Sequence, residues 1–142
     1  MLFQDCLCFA LTRASRRVAK VYREKLDPYG LTQPQFFLLI ALYEEDGLPI
    51  TALAEKVALD KSTLTGLLDR VERDGLVERV PTPEDRRALQ IRLTPKAEAL
   101  RQRLTAIYDE TNAWFLSQLT AEERETFDRA IAKLESVSAD EA

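Results

Sequence analysis

Residues 60–94 read DKSTLTGLLDRVERDGLVERVPTPEDRRALQIRLT, and the fold is decided there. Leu64, Leu67, Leu68 and Val71 recur at three- and four-residue spacing, the period of one helix face. Asp60 precedes them as an N-cap, because a short carboxylate accepts from the free N–H groups of a first turn. Gly75 closes the helix after about Asp74, since glycine enters the left-handed region without a steric penalty. Residues 76–80 and 89–93 alternate as half-buried strands do. Between them lie Pro81, Pro83 and the run Glu84-Asp85-Arg86-Arg87. Helix, strand, basic-tipped hairpin and strand, in that order, is the layout of a winged helix, which can reach DNA in both grooves.

Working outward, the segment before this stretch supplies the rest of a helix-turn-helix. Thr51 is expected to cap a short helix with Leu53, Ala54 and Val57 inward, and Ala58-Leu59 is the tight connection. Thr32 caps the helix before that, with Pro34 in its first turn, where a missing N–H is harmless. Phe36, Phe37, Leu38, Leu39, Ile40, Leu42 and Tyr43 make that helix apolar nearly all round, so it is expected at the centre of the core. A first helix is predicted over residues 3–26, with Phe3, Leu7, Leu11, Ala14, Val18 and Val21 as its stripe. Asp27-Pro28-Tyr29-Gly30 ends it. Downstream, Thr94 and Pro95 open a fifth helix to about Gln118, too long for a compact core of this size. Thr120 and Glu123 form a capping box for a sixth, which carries Phe127, Ile131 and Leu134.

The expected fold is therefore mainly α with a small β-wing, about six helices and two wing strands. One domain spans 1–142. Its winged helix-turn-helix core occupies 31–95, and dimerisation helices occupy 1–30 and 96–142. The long amphipathic helices at the two ends need a partner for their apolar stripes, so a symmetric homodimer is expected.

Composition narrows the chemistry. The chain has 142 residues, 31% charged and 46% apolar, ordinary values for a soluble globular protein. It has no histidine, which removes the commonest general base and the commonest metal ligand. No nucleophile–base pair, glycine-rich phosphate loop or metal-ligand cluster is visible. No enzyme activity, cofactor or metal is expected. No stretch approaches the roughly 18 apolar residues of a membrane span, and residues 6–11 lack the flanks of a signal peptide. A cytoplasmic location is expected. Cys6 and Cys8 point about 200° apart on a helix and cannot bond to each other. The net charge is −4, but its distribution matters more than its sum. Residues 56–103 hold 11 Lys/Arg against 8 Asp/Glu, a net of +3, whereas residues 104–142 hold 3 against 9, a net of −6.

The segments GLTQPQFFLLIAL and ITALAEKVALDKSTLTGLLDRVERDGLVERVPTPEDRRALQIRLTPKA closely resemble the MarR family of bacterial transcriptional regulators. DRRALQIRLT is the most specific part. The resemblance covers nearly the whole chain. It implies a dimeric winged helix-turn-helix protein that binds double-stranded DNA, usually as a repressor released by a small ligand or by oxidation, and the two-fold symmetry of such a dimer makes a pseudo-palindromic operator the expected site.

The residues fit that expectation. Lys61, Ser62, Thr63, Thr65 and Gly66 form the exposed early face of the fourth helix. Short hydroxyl side chains there can read base edges and thymine methyls, with Lys61 on phosphate. Arg70 lies further along and suits phosphate or an ion pair. Arg86 and Arg87 suit a narrow minor groove. Arg87 matches the family's minor-groove position, and the resemblance implies that Asp85 braces a wing arginine. The bland alternative makes Ser62 and Thr63 simple capping residues and the arginines a solvated turn.

LCFALTRAS, around Cys8, further resembles the organic-hydroperoxide sensors of the family. It implies that oxidation of Cys8 releases DNA and that Tyr22 bonds the cysteine of the opposite subunit. Fourteen residues separate Cys8 from Tyr22, about 21 Å along one helix, so only antiparallel helices of two subunits could bring them together. Thr12 and Gln33 stand where those sensors carry tyrosines. The alternative is release by an aromatic or phenolic ligand near Phe36, Phe37 and Tyr43, with Cys8 only a buried core residue.

Overall fold

A computed structural model describes all of residues 1–142. Its helices are α1 (Leu7–Leu26), α2 (Gln33–Glu44), α3 (Ile50–Lys56), α4 (Lys61–Arg73), α5 (Pro95–Ser117) and α6 (Ala121–Ser136). Its strands are β1 (Leu48–Pro49), β2 (Val77–Pro81) and β3 (Leu89–Leu93), in one antiparallel sheet of order β1-β3-β2. No helix is long and apolar enough to cross a membrane. Residues Met1–Tyr108 and Asp109–Ala142 form two compact units, each described by itself below.

In the first unit the core collects on α2. Phe36, Leu38, Leu39 and Leu42 are fully buried, and Leu26, Leu53, Leu64, Leu68 and Ile91 join them. Thr32 accepts from the Gln35 N–H while the Gln35 side chain accepts from the Thr32 N–H, a complete capping box. That pair satisfies two of the orphan donors at the helix start.

Three sequence expectations change. The first helix starts at Leu7, because Cys6 is extended and Phe3–Asp5 form a separate 3-10 turn. Apolar spacing ran across that break without marking it. Thr51 is not a cap: α3 starts at Ile50, with Pro49 in the cap position and no side-chain cap bond. The sheet also has a third strand. Leu48 pairs with Ile91 and Pro49 with Gln90. Asp46 Oδ1 pins this edge by accepting from the N–H groups of Gly47 at 2.8 Å and Leu93 at 2.9 Å.

Tyr43 ties α2 to α5. Its hydroxyl donates to the Ala97 carbonyl at 2.6 Å, and the Arg101 guanidinium lies 4.9 Å above its ring and donates to the Tyr43 carbonyl at 2.8 Å. Burial pushes the phenol up to about 12, with the Glu98 carboxylate adding to the rise and Arg101 opposing it. A phenol raised in the folded state contributes stability that is complete below its unfolded value of 10.0 and is lost as pH rises through the folded value. The melting temperature should therefore fall between pH 10 and 12, and Tyr43→Phe should flatten that limb while lowering stability at neutral pH. Tyr22, also raised by burial and then by Tyr108, leaves a residual slope. An unchanged alkaline limb in Tyr43→Phe would contradict this account.

In the second unit, Thr120 and Glu123 form the expected capping box at the start of α6. No residue of α6 is buried. Trp114, Phe127, Leu134 and Val137 are exposed. The surface pairs Arg124–Asp128 and Arg129–Glu125 each span one turn and contribute little to stability.

Candidate nucleic-acid interface

Asp60 sets the start of α4. Its carboxylate accepts from the Thr63 N–H at 2.7 Å and from the Thr63 hydroxyl at 2.9 Å. The N–H bond first, and the hydroxyl second, hold the Asp60 carboxyl below its ordinary range. The Thr65 hydroxyl donates to the Lys61 carbonyl at 2.8 Å. Two of the three hydroxyls assigned to base reading therefore already donate within the helix. Each keeps its methyl group and an acceptor lone pair for a base edge. Ser62, Gly66 and Lys61 are exposed as well.

The wing is a closed turn. Thr82 Oγ1 donates to the Asp85 carbonyl at 2.7 Å and accepts from the Asp85 N–H at 3.1 Å. The Thr82 N–H donates to the Ala88 carbonyl at 2.9 Å. The Asp85 carboxylate accepts from the backbone N–H of Arg87 at 2.9 Å. Asp85 thus braces the main chain under Arg87, where a bond to the guanidinium was anticipated. The consequence is similar, because fixing the backbone fixes where the side chain leaves it. Arg86 and Arg87 both project from an exposed tip.

Open clefts lie on the two sides of α4. One, of about 340 Å³, is lined by Pro34, Ser62, Thr63, Gly66 and Arg70. The other, of about 320 Å³, lies between the helix and the wing and brings Lys61, Thr65 and Arg87 together with Thr51. The helix start and the wing arginine, read separately in the sequence, share one concave surface with two cations and two hydroxyls. Thr51, Thr82 and Arg79 were not singled out for this site by sequence. Arg79 pairs with Asp69 on α4 at 2.7 Å. A cation on the same strand face as buried Val77 was the available signal.

The other candidate residues lie apart. Cys8 is exposed in the first turn of α1, and Cys6 is exposed at its cap position. The alternative in which Cys8 is a core residue of its own chain does not hold. Thr12 donates to the Cys8 carbonyl at 2.8 Å. Tyr22 is buried, with its ring centroid 5.7 Å from that of Phe36 and 6.1 Å from that of Phe37. The three residues offered for a ligand pocket differ in availability. Phe36 is fully buried, Phe37 is 41% exposed, and the Tyr43 hydroxyl is committed to Ala97.

A helix-turn-helix followed by a β-wing, basic at both the helix start and the wing tip, defines a winged helix-turn-helix DNA-binding module. Residues 31–89 match the MarR family. The chain is similar to the organic hydroperoxide resistance transcriptional regulator of Bacillus subtilis, with 36% identity over 75% of this chain and 73% of that one. It is also similar to the HTH-type transcriptional regulator MgrA of Staphylococcus aureus, with 33% identity over 92% and 88% of the two chains. Among solved structures, the S. aureus MepR–DNA complex superposes with a TM-score of 0.83 at 28% identity, covering 92% of this chain and 97% of that one. The chain belongs to the MarR family. It is a DNA-binding transcriptional regulator and not an enzyme.

Proposed function

We propose that this regulator is a homodimeric repressor that holds a pseudo-palindromic operator through α4 and the wing, and that oxidation of Cys8 by an organic hydroperoxide releases it. The observation that carries the DNA contacts is the shared cleft of Lys61, Thr65 and Arg87. In the bound state α4 enters the major groove with Ser62, Thr63, Thr65 and Gly66 toward the bases. Lys61 and Arg70 meet phosphates, and Arg86 and Arg87 enter the flanking minor groove. Two such units about one helical turn apart match a two-fold protein. Exposed Phe3, Leu7 and Leu11 on one unit and Trp114, Phe127 and Leu134 on the other support burial against a second copy.

The oxidation step follows from the exposure of Cys8 and from similarity to a regulator named for hydroperoxide resistance. The Cys8 thiolate attacks one peroxide oxygen, the O–O bond breaks, and an alcohol leaves after protonation. Sulfur loses two electrons and becomes a sulfenic acid, which condenses with a second thiol to a disulfide with loss of water. Cumene hydroperoxide should lower the affinity of the wild type for its selected duplex at least tenfold, roughly the coupling typical of an effector, and dithiothreitol should restore it. Cys8→Ser should bind equally well before and after oxidant. Equal binding by the oxidised wild type would overturn the redox reading and leave the ligand-released alternative. Thermal shifts with aromatic acids would then test that alternative.

A further inference from the structure

The contact between α4 and the wing is more than a surface ion pair. Thr65, Asp69 and Glu72 are four and three residues apart, so they share one stripe of α4. Each turns an oxygen toward the same residue of β2. The Arg79 guanidinium donates to Asp69 Oδ1 at 2.7 Å and to the Thr65 carbonyl at 3.3 Å. The Arg79 backbone N–H donates to Glu72 Oε2 at 3.2 Å. β2 is an edge strand, and edge strands leave such N–H groups unpaired. The Arg79 side chain is only 22% exposed, and its Nε is buried without a partner. A freely moving arginine would turn that donor to water, because an unsatisfied buried donor is costly. The other two contacts hold the guanidinium in place against that cost.

We propose that Arg79 is a positioning residue for DNA recognition. It fixes the angle between α4 and the wing, so that the start of α4 and Arg87 meet one duplex together. The proposal rests on the reading of those residues as DNA contacts. Thr65 is the link. Its carbonyl receives Arg79, and the residue lines the cleft shared with Lys61 and Arg87. Beyond this contact, α4 is held by its apolar face, Leu64, Leu67, Leu68 and Val71. Apolar burial is non-directional. It sets the depth of the helix and resists rolling weakly. Three directional bonds to one strand residue supply the missing restraint, and a surface prearranged for its target loses less on binding.

Arg79→Lys is the informative variant. It keeps the charge and can meet Asp69, but both guanidinium bonds leave Nη2, whose direction is fixed by a rigid plane, and the flexible lysine ammonium has no such plane. The probes are a duplex recovered from a random pool by the wild type and a scrambled duplex of the same composition. Affinity for the selected duplex should fall about tenfold, the size of one mismatched base pair, while scrambled-duplex affinity and its salt dependence stay as in the wild type. Asp69→Asn should lower the ratio between the two duplexes to the same extent. The double variant should lose no more than either single one, as coupled residues do. All binding is measured where urea titration finds the variants folded. Equal losses on both duplexes with a shallower salt slope would make Arg79 a phosphate contact and overturn the proposal. Unchanged selectivity would overturn it too. Arg87→Ala, run alongside, separates the two layers. If Arg87→Ala binds like the wild type, the wing reading fails, and with it anything for Arg79 to align. If Arg87→Ala loses affinity while Arg79→Lys keeps its selectivity, only the role of Arg79 fails.

Discussion

Replacing Arg87 with alanine should weaken binding to the selected duplex by one to two orders of magnitude and leave the fold and oligomeric state unchanged. A well-placed arginine contact contributes about 1–3 kcal/mol, which is about one to two orders of magnitude in affinity. The fold should survive because Arg87 is exposed and its bond to Asp85 is made by the backbone N–H, which alanine retains. Arg86→Ala should cost less, since Arg86 lies outside the cleft shared by Arg87, Lys61 and Thr65. Asp85→Ala acts differently. It loosens the turn under both arginines, so it should lower affinity without shortening either contact. Fluorescence anisotropy at one fixed salt concentration measures all three, because affinities at different salt are not comparable. Wild-type affinity in Arg87→Ala would remove the wing from the interface.

The parts of this molecule legible from sequence are those set by neighbours a few residues apart. The Asp60 and Thr32 caps, the Thr120 capping box and the stop at Gly75, which adopts φ +75°, are all local chemistry, and they appear where the residues placed them. The wing strands end within a residue of expectation for the same reason. What escaped depends on long separations. Arg79 and Thr65 are 14 residues apart, and Tyr43 and Ala97 are 54 apart, so no periodicity joins them. Tyr22 shows a second kind of failure. It lies four residues after Val18 and four before Leu26, on the buried side of α1, but its polar tip kept it out of an apolar count. It packs like a core residue. The Cys6 break in α1 shows a third, because an i, i+4 pair of apolar residues reads the same across a helix start as within a helix.

Phe36→Ala should be the most destabilising of the substitutions considered. Phe36 is fully buried. Its ring centroid lies 5.7 Å from Tyr22, 5.8 Å from Phe37 and 6.5 Å from Tyr108, so it joins α1, α2 and α5 at one point. Removing a buried phenyl group costs its transfer free energy plus a cavity term, about 3–5 kcal/mol, a large share of the roughly 5–15 kcal/mol that holds a domain together. Phe37, one residue on, is the control. It is 41% exposed, and Phe37→Ala should cost well under half as much within the chain. Urea midpoints at several protein concentrations measure both, because the stability of a dimer rises with concentration. A concentration-dependent loss in Phe37→Ala would place that exposed ring against a second copy. A loss below about 1 kcal/mol in Phe36→Ala would mean the three helices close over the gap. In that case α1, which carries Cys8, would be less firmly coupled to the DNA-binding core than its packing implies, and oxidation at one end of α1 would have a weaker path to α4.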